Sequence, residues 1–225
     1  ALDKGNNNIA EMLIKKGAEL NLQENDGYTA LMIALDKGNN NIAEMLINAD
    51  ANLNLQDKYG EAPLILAVEN NNDKIVQILI NAGAELNLQE NEGYTALMIA
   101  LDKGNNNIAE MLINKRANLN LQNGNGKTAL TLLANKDKIP EKIVKMIINN
   151  DANLDIQDND GDSFLMHAIY ENNSNFAEML INAGADLNLR NSDGDTALMS
   201  AIYNCNNKLT EILINSGADI NLQSY

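Results

Sequence analysis

From Thr29 onward the chain sets Leu31, Met32, Ala34 and Leu35 on one helical face, breaks at Gly38, and resumes with Ile42, Ala43, Met45, Leu46 and Ile47 at helical spacing. This pattern predicts two short antiparallel helices joined by a turn. Asn41 with Glu44 three residues later predicts a capped start for the second helix, and the pairs Asn8/Glu11 and Asn107/Glu110 repeat the device. The second helix is expected to end between Asn48 and Asp50, or at Gly83, Gly184 and Gly217 in other copies, where glycine accepts a left-handed backbone. Beyond it, Asn52-Leu53-Asn54-Leu55-Gln56 alternates weakly and runs into a turn of the Asp26-Gly27 type, which predicts a protruding hairpin-like loop.

The pattern recurs. Gly27 to Asn48 returns without change at Gly93 to Asn114, and glycines at 27, 60, 93, 126, 161 and 194 are separated by 33, 33, 33, 35 and 33 residues. A fixed period of this length indicates stacked supersecondary units. Seven units are expected in a single repeat domain, the first lacking its opening turn: 1–26, 27–59, 60–92, 93–125, 126–160, 161–193 and 194–225. A helix pair of this size has two apolar faces and hides both only between neighbours, which places Leu46 and Leu112 inside a stack. The fifth unit holds two added residues between Leu133 and Ile143, read as a longer inter-helix turn with Pro140 in the first turn of the helix that follows. Ala1 begins in mid-helix, and Leu209, Ile212, Leu213 and Ile214 lack the polar face of a capping unit. The expectation is a segment of a longer array or multidomain protein, monomeric, with end-to-end self-association as the alternative.

Hydrophobic residues are 45% of the chain but aromatics only 4%, without tryptophan, so the core must be built from Leu, Ile, Ala and Met. A net charge of -15 repels polyphosphates and anionic leaflets; nucleic acid is excluded as a partner, and no apolar run predicts membrane insertion. With one cysteine, Cys205, no internal disulfide forms, which permits a reducing compartment. A cytoplasmic or host-cell intracellular address is the expectation. Asparagine occurs 41 times, and its surplus beyond caps and turns is read as compositional bias.

No phosphate-cradling Gly-Lys-Ser run, His-Glu-x-x-His or strand-elbow serine is present. Repetition spreads like polar groups along a ribbon instead of converging unlike ones, so no catalytic residue, cofactor or metal ligand is assigned. Asp158, Asp160 and Asp162 alternate in one loop but do not meet the calcium-loop pattern and are read as a solvated acidic loop.

Gly27, Thr29, Leu31, Ala34, Gly38, Leu46, Ala51 and Asn54, with the exits Gly184-Ala185-Asp186-Leu187-Asn188 and Gly217-Ala218-Asp219-Ile220-Asn221, resemble the ankyrin repeat over essentially the whole chain. The resemblance implies an all-α solenoid of stacked antiparallel helix pairs with protruding loops. It also implies non-catalytic protein–protein recognition through a concave face; an architectural spacer or intramolecular regulatory domain of a larger protein is the alternative. The family's Thr-Pro-Leu-His opening departs here: the histidine is replaced by Met32, Met98, Met166, Met199, Ile65 or Thr131, which implies apolar packing by methionine instead of a Thr–His hydrogen bond. In the family's register the contact face comprises Ile33, Leu66, Ile99, Leu132, His167 and Ser200 on the first helices. Tyr28, Tyr59, Tyr94 and Asp162 lie on the loop side, and Tyr170 and Tyr203 one helical turn on. The four aliphatic residues either meet a partner or pack partly between units. His167 is read as a solvated substitution, or else as a source of pH sensitivity. With Asp160 and Asp162, the acidic sixth unit favours a protein or peptide that brings a basic element.

Overall fold

A computed structural model describes residues 6–134, 140–150 and 152–225. They form α-helices in pairs, with isolated bridges at Gln89–Thr95 and Gln157–Ser163 as the only strand-like pairing among them. The chain divides into two compact units, residues 1–118 and 119–225. The first contains α1 (Asn7–Lys15), α2 (Ala30–Asp36), α3 (Asn40–Asn48), α4 (Pro63–Glu69), α5 (Asp73–Asn81), α6 (Ala96–Asp102) and α7 (Asn106–Asn114). Helices α2, α4 and α6 pack as one row and α1, α3, α5 and α7 as a second, each seven-residue helix lying against the nine-residue helix that follows it. The second unit contains a 3-10 turn at Thr131–Leu133, then α8 (Glu141–Asn149), α9 (Phe164–Tyr170), α10 (Ser174–Asn182), α11 (Ala197–Tyr203) and α12 (Asn207–Asn215). There α9 packs on α11 and α10 on α12.

Burial follows the two expected apolar faces: Leu46 and Leu112 are 1% and 0% exposed. Glycine at the loop turns is required by close approach. Gly27 has φ +86°, and a Cβ there would stand 2.8 Å from the Asp57 Cα of the next turn.

Four sequence readings change. The second helices begin two residues earlier than expected: Asn39, not Asn41, is the N-cap of α3, its Oδ1 accepting from the Ile42 N–H at 3.4 Å, and Asn105 caps α7 in the same way. The helix then starts before the apolar run, which puts Glu44 on the exposed flank beside Lys74. Methionine does more than pack, because the Met32 Sδ accepts from the Thr29 N–H at 3.3 Å, and Thr131 restores a hydroxyl bond to Thr128 at 3.0 Å. Pro140 is the N-cap of α8 and not part of its first turn; the two added residues of that unit fall around residues 135–139, outside the described residues.

Asparagine surplus also has a structural use. Asn39 donates to Asn7 at 2.6 Å, Asn72 to Asn40 at 2.7 Å and Asn206 to Asn172 at 2.5 Å, rung by rung between neighbouring inter-helix turns. In the loops, the side-chain oxygens of Asn21, Asn54 and Asn87 accept from the backbone of the following repeat at 2.7, 2.9 and 2.8 Å. Asn120, Asp155 and Asn188 do the same in the second unit, each at 2.8 Å. Short amides satisfy backbone donors that stacked loops would otherwise leave without partners.

Candidate functional site

Five of the loops carry an acidic or amide residue whose side chain closes the turn ahead of a first helix. Asp57 Oδ1 accepts from Tyr59 N–H at 2.8 Å and Glu61 N–H at 2.9 Å. Glu90, Asn123, Asp158 and Asn191 repeat this double acceptance. The turn sets which side chains stand at the opening of each first helix, and Tyr59, Tyr94, Asp160 and Asp162 among them are residues the sequence singled out.

In the second unit the turn and helix face are knitted together. Asp158 is 8% exposed, and its Oδ2 meets His167 Nε2 at 2.8 Å. Neither is solvated as the sequence suggested: the Asp158 and His167 side chains retain only 2% and 13% of their exposure, because α9 swings the imidazole over the turn. Tyr170 stands edge-on to His167 with ring centroids 6.2 Å apart and donates its hydroxyl proton to Asp162 Oδ1 at 2.9 Å. Asn191 donates to the same carboxylate at 3.0 Å and to the Tyr170 oxygen at 3.2 Å, and Ser200 reaches that oxygen at 3.5 Å. Burial raises the Tyr170 hydroxyl above its ordinary value, and the Asp162 carboxylate adds to the rise. Asp158, Asp162 and His167 bring three ligand-type atoms within 4.8 Å of one another, the one such gathering among the described residues. Every one of those side chains already has an internal hydrogen-bond partner, so the cluster braces α9 against its loop. Asp160 and Glu171 remain exposed beside it.

In the first unit Tyr28 and Tyr94 are half-buried at the loop openings and Tyr59 is 52% exposed. Lys58 is held by Asp26 at 2.7 Å and lies 4.9 Å from the Tyr59 ring centre. Of the aliphatic stripe, Leu66 and Ile99 are 5% and 8% exposed and pack in the stack, whereas Ile33 and Leu132 are intermediate. Tyr203, on α11, is 66% exposed. Alternation by helical spacing could not separate Leu66 from Ile33, since both occupy the same place in the repeat. An apolar groove of about 380 Å³ lies beside α1, lined by Leu13, Ile14, Leu20, Tyr28 and Ile33 among others.

Sequence reasoning did not single out Glu61. It precedes α4, and burial first, then the charges of Glu69, Asp57 and Glu90, push its carboxyl up to about 7. Asp57 is 7% exposed and its Oδ2 is buried without a hydrogen-bond partner. Tyr28 joins them: burial and the charges of Asp57 and Glu61 raise its hydroxyl above the ordinary value.

A family model described as ankyrin repeats (3 copies) matches residues 1–90 and 134–224, and one described as ankyrin repeats (many copies) matches residues 79–133. Among solved structures, the ankyrin repeat domain of Bcl-3, described as a unique member of the IkappaB protein family, aligns with a TM-score of 0.78 at 22% identity, covering 96% of each chain. None of the curated proteins matches the sequence.

Proposed function

Because the chain belongs to the ankyrin repeat family, whose members typically act as non-catalytic protein–protein interaction modules, we propose that it recognises a protein or peptide through the loop and first-helix face of its repeats. No helix among the described residues is long and apolar enough to cross a membrane. The observation that carries the reading is the distribution of rigid, partly exposed aromatic groups on that face. Tyr28, Tyr59 and Tyr94 stand at the loop openings of the first unit, Tyr170 and Tyr203 on the helices of the second. Tyrosine offers wide contact area with few rotatable bonds and a hydroxyl for hydrogen bonding. Ile33, Leu132 and His167 contribute at their partly exposed edges, and Leu66 and Ile99 support the face from within. A net charge of -15, with Asp160 and Asp162 on the rim of the second unit, favours a partner that brings a basic element. The seven-unit division, a monomeric state and an intracellular address belong to the same reading.

Exchanging Tyr28, Tyr94, Tyr170 and Tyr203 together for alanine tests it. The wild-type chain should retain a protein partner that the variant, shown to be folded by circular dichroism, loses. Cross-links from that partner should fall on the tyrosine-bearing face. Undiminished retention by the variant would instead mark the repeats as a spacer.

A further inference from the structure

The turn-closing residue recurs from loop to loop, but what stands around it changes. Two acids and an imidazole coincide only in the sixth unit, as Asp158, Asp162 and His167; the same three places hold Asp57, Glu61 and Leu66 in the third. In the sixth unit Asp158 Oδ2 and His167 Nε2 are 2.8 Å apart, and one ligand-type atom from each of the three side chains lies within 4.8 Å of the others. Other groups hold the two carboxylates in place. Asp158 Oδ1 accepts from the backbone N–H groups of Asp160 and Asp162 at 3.1 and 3.0 Å. Asp162 Oδ1 accepts from the Tyr170 hydroxyl at 2.9 Å and from the Asn191 amide at 3.0 Å. Each carboxylate is thereby anchored through one oxygen and keeps the second free of those anchors, and outer hydrogen bonds of this kind are what orient metal ligands.

We propose that Asp158, Asp162 and His167 bind a zinc ion, in place of the proton that now lies between His167 and Asp158. The proposal goes beyond protein recognition and stands without it. The Asp158 carboxylate accepts, so Nε2 carries the ring proton in the metal-free pair; with zinc bound, Nε2 becomes a ligand and the proton moves to Nδ1. Ligand atoms of a tetrahedral zinc site, with bonds of about 2.0–2.2 Å, stand about 3.4 Å apart, so the 2.8 Å pair opens by roughly half an ångström. No empty chamber is needed, because the ion replaces a hydrogen bond inside the cluster. Entry is from the side of Asp162 and His167: Asp162 keeps intermediate exposure and the His167 side chain 13%, while Asp158, at 2%, forms the floor. Three protein ligands leave the fourth zinc position to water on that open side. Calcium and magnesium fit poorly, since they take about six or more oxygen ligands and this site supplies two carboxylates and a nitrogen.

A net charge of -15 draws any divalent cation towards the surface, so the test reads the imidazole itself. His167 is the only histidine, and its two ring nitrogens give unambiguous NMR signals in the nitrogen-labelled full chain. Zinc chloride at neutral pH should move both signals saturably, with one ion per chain, into the pattern of a metal-bound Nε2 and a protonated Nδ1. It should also raise the unfolding temperature. Calcium and magnesium chloride should leave the ring signals in place. His167→Leu installs the residue that α4 carries at this place, and Asp162→Asn leaves the backbone bonds of the turn intact; each should weaken zinc by about tenfold or more in calorimetric titration. Circular dichroism checks that both variants fold, and the ring signals of the wild-type chain decide the matter if either does not. Ring signals unmoved by saturating zinc, an equal response to calcium, or a zinc affinity untouched by both variants would overturn the proposal. So would zinc held at the exposed Cys205 instead, seen as binding that survives His167→Leu and disappears in Cys205→Ser.

Discussion

Glu61 ties stability to pH through its proton. In the unfolded chain its carboxyl ionises near 4.5, and in the fold only near 7. Between those values the folded state holds more protons than the unfolded one, so stability falls as pH rises through that window and then levels off. Glu61→Gln removes the decline. The variant should unfold at higher urea than wild type at pH 8, by on the order of 1 kcal/mol once solvent screening of a partly exposed group is allowed for, and match it at pH 4. Urea titrations at the two pH values check this, and a variant weakened at pH 8 would show that the charge contributes to the fold. Other single residues illustrate how local chemistry substitutes for a missing partner. The Met32 thioether accepts the Thr29 N–H, and the Thr131 hydroxyl bonds to Thr128. Both keep the opening of a first helix satisfied without histidine.

At the level of helices, placement of the caps decides which asparagines matter. Asn105 accepts from Ile108 N–H at the start of α7 and donates to Asn71 of the preceding turn, while the exposed Asn107 donates at 3.2 Å to Asp73. Asn105→Ala should therefore cost about 1 kcal/mol or more, the usual loss for an N-cap, and Asn107→Ala only a few tenths. Chemical denaturation of the two variants measures the difference; equal losses would return the cap to the later position that the Asn/Glu spacing suggested. The first helices differ in what they display. Helix α4 buries Leu66 where α9 carries His167, so the Asp57 Oδ2 is buried without a partner in one repeat while the Asp158 Oδ2 is paired in another.

Across the whole molecule the acidic excess dominates. With 31 acidic against 16 basic residues, like charges repel in the folded chain more than in the expanded one. Salt screens that repulsion over about 10 Å at 0.1 M. The unfolding temperature should rise by a few degrees between roughly 10 and 300 mM sodium chloride, a change on the order of 1 kcal/mol; scanning calorimetry reads it directly. A flat or falling temperature would mean that the surface ion pairs, such as Lys58–Asp26 and Lys145–Glu141, outweigh the repulsion.

Periodicity alone determined the helix pairs, the turn glycines and the buried identity of Leu46 and Leu112, because apolar spacing and positive-φ turns are local properties that a sequence repeats visibly. It also brought out the tyrosines and the acidic loop around Asp160. Tertiary structure decided the remainder. Whether Asn39 or Asn41 caps α3 depends on where stacked neighbours let the helix begin, and the asparagine ladders exist only once turns one period apart are side by side. Equivalent positions also diverged: Leu66 and Ile99 sank into the stack while Ile33 and Leu132 kept partial exposure. Most of all, the unpaired oxygen of Asp57 and the raised proton affinity of Glu61 could not be read from residue types. Desolvation and charge crowding depend on which groups the fold brings together, and Glu69 and Glu90 reach Glu61 only through space.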